Sequence, residues 1–436
     1  MKIAIIGAGI AGLSAAFDLS GAGHDVTIFE AAPYAGGLAA GFKSNRWDWH
    51  LEQYYHHWFQ SDVHIQQIIR ELGVTDKLFF PRPTTSIYTR GKIYPFDSPT
   101  TVLFSPLLPL VPKLRFGLVG LYLRFSKNWQ AMEKETADRW LRRTMGDTAY
   151  NILWKPLLVG KFGDYYRDVN MAWFWARVHS RTTRLGYFEG GFQAFIDALT
   201  RAVQERGATV RLNTPTTAIA PQPNGQLQVS FKAEMEPAGP ETFDQVLATV
   251  SPPLLGQLTP ALPAGYLASL GQLKSMGAVV TVLALKHPLT DKHYWINLPK
   301  EEGTPFLALV EHTNFIDPVH YDNDHIIYCG DYLNPDHEYF SLGKDELLTR
   351  FLPALRNFNP NFNESWVKES WLFKTKYAQP IPPVNHSRNI PPLKTPIPGL
   401  FWASMSQVYP WDRGTNYAVE IGRRVARQMM GDPSSA

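Results

Sequence analysis

The chain has a single cysteine, Cys329, among 436 residues. An intrachain disulfide is excluded, which fits a reducing compartment, so a cytoplasmic location is expected. Charge is nearly balanced at a formal +3, with 19% of residues charged, so there is no strong footprint for nucleic acid. No His/Cys cluster has metal-ligand spacing, and no metal site is expected. No Gly-x-Ser-x-Gly elbow presents a serine nucleophile. Repeats and low-complexity tracts are absent. No apolar run is clean enough to cross a membrane. The stretch 102–123 comes nearest, but Pro106, Pro109 and Pro112 break it, and Lys113 and Arg115 lie inside it. Two readings of that stretch stay open: a pair of packed helices, or a peripheral membrane contact lying on the bilayer surface.

What is present begins at the N-terminus. Lys2-Ile3-Ala4-Ile5-Ile6 is short, continuous and rich in β-branched residues, which suits a strand buried on both faces. Gly7-Ala8-Gly9-Ile10-Ala11-Gly12 follows and opens a helix over residues 13–19. Those glycines allow a tight turn and a close backbone approach to a pyrophosphate. The free N–H groups at Ile10, Ala11 and Gly12, with the positive end of the helix dipole, complete an anion site. A second buried strand, residues 26–29, ends on Glu30, about twenty residues past the glycines, where a carboxylate accepts both ribose hydroxyls. A Gly-x-Gly-x-x-Gly alone is weak. With this strand, helix and acid around it, a dinucleotide site is expected. No second such motif occurs, so a dedicated nicotinamide domain is not expected.

Gly36-Gly37-Leu38 after Glu30 resembles the glycine doublet of FAD-dependent enzymes of the amine oxidase superfamily. That group includes protoporphyrinogen oxidases, carotenoid desaturases and monoamine oxidases, with UDP-galactopyranose mutases as structural relatives. Many members carry a basic residue after the doublet; Leu38 stands there in this chain. Residues 399–406 resemble the family's last FAD strand, but Ala403-Ser404-Met405 replaces its Ala-Gly-Asp, leaving Ser404 or Ser406 as substitute partners. The helix that follows, through Asn416, Tyr417 and Ala418, is the one the resemblance aims at the flavin. A helix N-terminus there stabilises the negative charge of a reduced flavin. The resemblance also implies that backbone near Thr216 brackets the adenine. It implies an α/β fold: a Rossmann-type FAD-binding domain interleaved with an α+β substrate domain. The expected order is a first FAD-binding segment (1–80), a helical segment of the substrate domain (81–184), a second FAD-binding segment (185–254), the substrate-domain sheet (255–384) and a closing FAD-binding segment (385–436).

Between these landmarks, residues 62–72 read as a helix capped by Asp62, and residues 86–95 as a hairpin. Residues 135–145, 171–178 and 194–205 read as helices. Residues 209–212, 227–233 and 244–249 read as strands, with a proline-rich turn at 234–241. Residues 273–285, 306–311, 325–332 and 366–373 are expected to form an antiparallel sheet beside the flavin. The 13 tryptophans are read mainly as core.

The leading expectation is an FAD-dependent oxidoreductase that oxidises C–C or C–N bonds of a mostly apolar small-molecule substrate by hydride transfer to flavin. Oxygen or a quinone would be the electron acceptor. Lys274, Lys374 and Lys376 are candidates for a lysine near the flavin. A non-redox flavin isomerase is the alternative, because residues 52–61 resemble the mutase segment that carries a His beside the flavin. Strand alternation lets only one of His56 and His57 face the ring, and the mutase pattern selects His57. An FAD-binding subunit without its own turnover is the third reading.

Overall fold

The structure, a computed structural model, describes residues 1–232 and 239–432. The chain opens with β1 (Lys2–Ile6), α1 (Ile10–Gly21), β2 (Asp25–Phe29) and α2 (Val63–Glu71). The hairpin β3 (Thr84–Thr89) and β4 (Lys92–Pro95) leads into helices α3 (Pro99–Phe104), α4 (Leu110–Phe125), α5 (Ala137–Met145), α6 (Lys155–Phe162) and α7 (Met171–Ser180). Then come α8 (Phe192–Glu205), β5 (Thr209–Arg211) and β6 (Gln245–Ala248). Five strands follow: β7 (Ser275–Leu285), β8 (His293–Asn297), β9 (Ala308–Glu311), β10 (His325–Leu333) and β11 (Val367–Pro380). The chain closes with β12 (Leu400–Trp402) and α9 (Thr415–Met429).

Strands from three distant segments make one parallel sheet in the order β5–β2–β1–β6–β12. β1 is central, and Ile3, Ala4, Ile5 and Ile6 are buried, as a strand covered on both faces requires. α1 lies on this sheet and is apolar nearly all round, because α8 and α9 cover it as well. The fit against α9 is tight: a Cβ on Gly422 would stand 2.3 Å from the Ala11 carbonyl oxygen.

The second sheet runs β11–β7–β10–β9–β8–β3–β4. The four expected strands, β7, β9, β10 and β11, pair antiparallel, and the sheet as a whole is mixed because further strands join it. The N-terminal hairpin extends its edge, and β3 joins β8 in parallel, with Ile296 opposite Ser86. A pairing between strands about 200 positions apart leaves no local signal. The two sheets share one core, in which Ile5 and Leu247 belong to the same buried cluster as Val280 and Tyr328. A separate core, with Leu123, Leu158, Trp173, Phe174 and Trp175, holds the helices α4 to α7 together above the mixed sheet.

Asp62 does not cap α2. Its carboxylate turns back to accept from the Phe59 N–H at 2.8 Å, and the cap comes from another segment of the chain. The strand from Leu227 ends at Phe231, so Ala233 and most of the proline-rich turn lie outside the described residues.

Candidate active site

The nucleotide turn is shaped by its glycines. Gly7 has φ 104°, and a Cβ on Gly12 would meet the Gly7 carbonyl oxygen at 2.1 Å, so neither position admits a side chain without distortion. Gly36 and Gly37 close over the turn: Gly36 N–H donates to the Ala8 carbonyl at 2.8 Å, and a Cβ on Gly37 would lie 3.3 Å from the Gly9 Cα. Gly9 is the N-cap of α1, and no side chain caps that end. Ile10, Ala11 and Gly12 form its first turn; one turn on, the buried Ser14 hydroxyl has no hydrogen-bond partner among the described residues. Glu30 stands at the end of β2, where its carboxylate accepts from Ala8 N–H and Ala32 N–H, both at 2.8 Å. Leu38 lies in the short turn Gly37–Ala39. The hydroxyl of Thr216, which starts a strand beyond β5, is buried and also without a partner among the described residues.

The C-terminal residues separate by role. Ser404 caps the turn Met405–Gln407; its N–H donates to Gln407 Oε1 at 2.8 Å, and its hydroxyl lies 3.3 Å from Tyr377 Oη. Ser406 Oγ is 2.7 Å from the same phenol. Gly414 is the N-cap of α9, and it too lacks a side-chain cap. The Asn416 carboxamide oxygen accepts from His64 N–H at 2.9 Å and Ile65 N–H at 3.1 Å, so it caps α2. Tyr417 stacks on Trp411 at 5.7 Å, and Ala418 is half-buried in the same first turn.

The 54–59 segment reaches this helix end, with Trp58 Nε1–H donating to Thr415 Oγ1 at 2.5 Å. Residues 55–57 are irregular rather than strand, so alternation does not set the directions of the two histidines. The His56 ring bonds to the Tyr54 carbonyl. The His57 ring stands among Phe59, Tyr294 and Trp295, with Nδ1 3.5 Å from Tyr294 Oη. Burial, then the charges of Arg181, His56, Arg177 and Lys161, push the His57 pKa down to about 3. Glu52, at the start of the segment, is 1% exposed; burial raises it to about 7 even though Phe192 N–H and Tyr187 O–H donate to it.

Beside these groups lies a charged cluster drawn from α6, α7 and the approach to α9. Arg177 bonds to Asp412 Oδ2 at 2.5 Å, Lys161 Nζ lies 4.0 Å from the same oxygen, and Trp173 Nε1–H donates to Oδ1 at 3.0 Å. Arg413 points the other way, to Tyr332 Oη at 2.5 Å and the Ala378 carbonyl. Burial alone would raise the Asp412 carboxyl, but Lys161, Arg177 and Arg413 hold it well below the usual range. Burial, then Arg177, lowers Lys161 far below its ordinary value. Arg177 and Lys161 thus face one carboxylate, with Arg413 next to it in the chain; Arg177 lies over the Trp173 ring, and Trp175 and Trp411 form a ring pair nearby. Next to it is a small cavity of about 20 Å³, lined by Gln379, His386 and Tyr409 among others.

The sequence pattern described as flavin containing amine oxidoreductase matches residues 10–430. This chain belongs to that family. Among curated relatives, a 15-cis-phytoene desaturase of Synechococcus elongatus is 30% identical over 158 residues, covering 33% of each chain. The match thus spans about a third of that relative's length. Among solved structures, a cyclohexylamine oxidase from Brevibacterium oxydans superposes with a TM-score of 0.74 at 15% identity, over 99% of this chain and 98% of the other. A reduced UDP-galactopyranose mutase superposes at 0.75 and 14% identity, over 99% of this chain and 94% of the other. These two are likenesses of fold.

FAD is the cofactor of this family member. The uncapped α1 turn, the side-chain-free cradle of Gly9, Gly12 and Gly37, the orphan hydroxyls of Ser14 and Thr216 and the Glu30 carboxylate fit a dinucleotide. The three lysines singled out in the sequence are occupied elsewhere. Lys274 is exposed over the Tyr165 ring, Lys374 bonds to the Phe340 carbonyl at 3.2 Å, and Lys376 faces solvent. Sequence reasoning missed Lys161, Arg177, Asp412 and Arg413. The available signal was charge set among aromatics, in Trp173-Phe174-Trp175-Ala176-Arg177 and Trp411-Asp412-Arg413.

Proposed function

We propose that the protein is an FAD-dependent oxidoreductase that removes hydride equivalents from a C–C or C–N bond of a mostly apolar substrate. The observation that carries this reading is the packing of the uncapped first turn of α1 on α9, where Ala11 meets Gly422, with the aromatic 54–59 segment bonded to the start of α9 through Trp58 and Thr415. Bound FAD supplies the two-electron acceptor. The chain's own role is to bind and orient. The half-buried aromatic side chains of the 54–59 segment give the substrate an apolar surface, and the guanidinium groups of Arg177 and Arg413 suit an acidic group at one end. Neutral His57 is placed to accept or donate a hydrogen bond at Nδ1. Oxygen or a quinone would take the electrons onward.

A second reading, a flavin-dependent isomerase without net redox, is favoured by His57 and by the cation cluster, which also suits a phosphorylated sugar. Anaerobic mixing separates the two. Bleaching of the oxidised flavin by an apolar amine or by a polyene that still holds saturated C–C bonds supports the oxidoreductase. Turnover of a sugar nucleotide only after flavin reduction, with no bleaching by any donor, overturns it.

A further inference from the structure

Helix α4 faces outward with the wrong side. At about 100° per residue, Leu110, Val111, Leu114, Leu118, Leu121 and Phe125 fall in one stripe about 100° wide. In a globular protein such a stripe normally meets the core. Here every one of the six is more than half exposed, with Val111 and Phe125 at 74%. The core is served by the opposite side, where Leu123 is fully buried and Phe116 and Val119 pack against it. At the start of the helix, Lys113 donates to the Leu103 carbonyl at 2.6 Å, which holds the end of α3 alongside and adds Phe104, 81% exposed, to the same surface. A patch of this size on a monomer marks a binding face.

We propose that this face docks on the surface of a phospholipid bilayer with anionic headgroups. Charge decides the occupant. Between Asp97 and Glu133 there is no acidic residue, and four cations are present: Lys113, Arg115, Arg124 and Lys127. On the helical wheel Arg115 borders one edge of the apolar stripe, and Lys113 and Arg124 border the other. Apolar side chains between two basic rims match acyl chains below a layer of negative headgroups. A second copy of the chain fits poorly, because a symmetric contact would set basic rims against each other with no acid in the stretch to offset them. The helix lies on the bilayer rather than crossing it: among the described residues no helix is long and apolar enough to span. Its far end is fixed to the active-site side of the helical layer. Trp175 Nε1–H donates to the Ser126 carbonyl at 2.8 Å, and Arg124 to the Arg181 carbonyl at 2.9 Å. α7, held in this way, carries Trp173 and Arg177. The docking itself does not rest on the catalytic reading.

The test is flotation of the full-length, FAD-loaded protein with two kinds of vesicle: phosphatidylcholine alone, and phosphatidylcholine with about a quarter phosphatidylglycerol. The expected result is on the order of tenfold stronger partitioning onto the anionic vesicles, weakening as salt rises. The triple variant Leu114→Ser, Leu118→Ser, Phe125→Ser should lose about a hundredfold in partitioning onto either vesicle while its flavin absorbance and melting temperature are kept. Lys127→Glu, on an exposed side chain, should weaken binding to the anionic vesicles only. Wild type left at the bottom of the gradient with both vesicle types overturns the proposal. So does a concentration-dependent dimer that the triple variant abolishes without any flotation by wild type, which would assign the face to a second copy.

Discussion

Asn416 caps a helix whose second residue, His64, lies 352 positions earlier, its carboxamide oxygen 2.9 Å from the His64 backbone nitrogen. One side chain thereby joins the first turn of α9 to the first turn of α2, in place of the local acid, Asp62. Asn416→Ala removes the acceptor and should cost about 1 kcal/mol in urea unfolding. Asn416→Asp keeps an acceptor and should cost much less. Equal losses in the two variants would show that the cap contributes nothing.

Glu30 has two tasks in this geometry. It pins the glycine turn through Ala8 and Ala32, and two lone-pair directions remain for ribose hydroxyls. Charge-assisted bonds of about 1.5–3 kcal/mol each make a loss on the order of a hundredfold in FAD affinity the expectation for Glu30→Ala. The check is a titration of apoprotein with FAD. Wild-type affinity in the variant would remove Glu30 from the cofactor site.

Glu52 gives a pH signature. Burial raises its pKa to about 7 from an ordinary 4.5, so the fold holds its proton more tightly than the unfolded chain does. The stability tied to that proton is complete below about pH 4.5 and is lost as pH rises through about 7. Glu52→Gln has no such proton. Its urea midpoint relative to wild type should therefore rise between about pH 5 and about pH 8. A constant offset between the two proteins would mean that Glu52 is ionised in the fold.

The Asp412 cluster tests the cost of unbalanced charge. Asp412→Asn leaves Arg177 without its carboxylate partner and Lys161 without the carboxylate beside it, and a loss of about 3 kcal/mol or more is expected. Lys161→Met removes one of the crowded basic groups and should be far milder. Thermal unfolding of both variants, FAD bound, decides. The reverse ranking would show that the lysine, and not the carboxylate, holds this corner together.

His57→Ala should retain FAD and shift the flavin absorption spectrum and reduction potential; His56→Ala, whose ring is turned to a backbone carbonyl, should do neither. With a pKa of about 3, His57 stays neutral across the working range. The wild-type flavin spectrum should then show no His57 titration between about pH 5 and about pH 8. Identical spectra for wild type and His57→Ala would place the ring outside the flavin environment and weaken the isomerase reading.

The sequence by itself determined whatever depends on neighbours in the chain. Residues 2–37 encode strand, turn, helix, strand and carboxylate through contacts within about one supersecondary unit, and the matching elements are in place. The same holds for the Arg90-Gly91 hairpin, where two positive φ angles sit at the turn, and for the terminal helix. The tertiary structure decided what depends on distant segments. It chose Asn416 over Asp62 as a cap, because a buried carboxamide fixed by α9 outcompeted a local acid that bonds backwards to Phe59. It set β3 in parallel beside β8, which no local pattern encodes. It gathered Lys161, Arg177, Asp412 and Arg413 from three segments into one cluster, and turned the apolar stripe of α4 away from the core. A hydrophobic period shows that a helix has an apolar face, but only the packing of the other helices shows whether that face is covered.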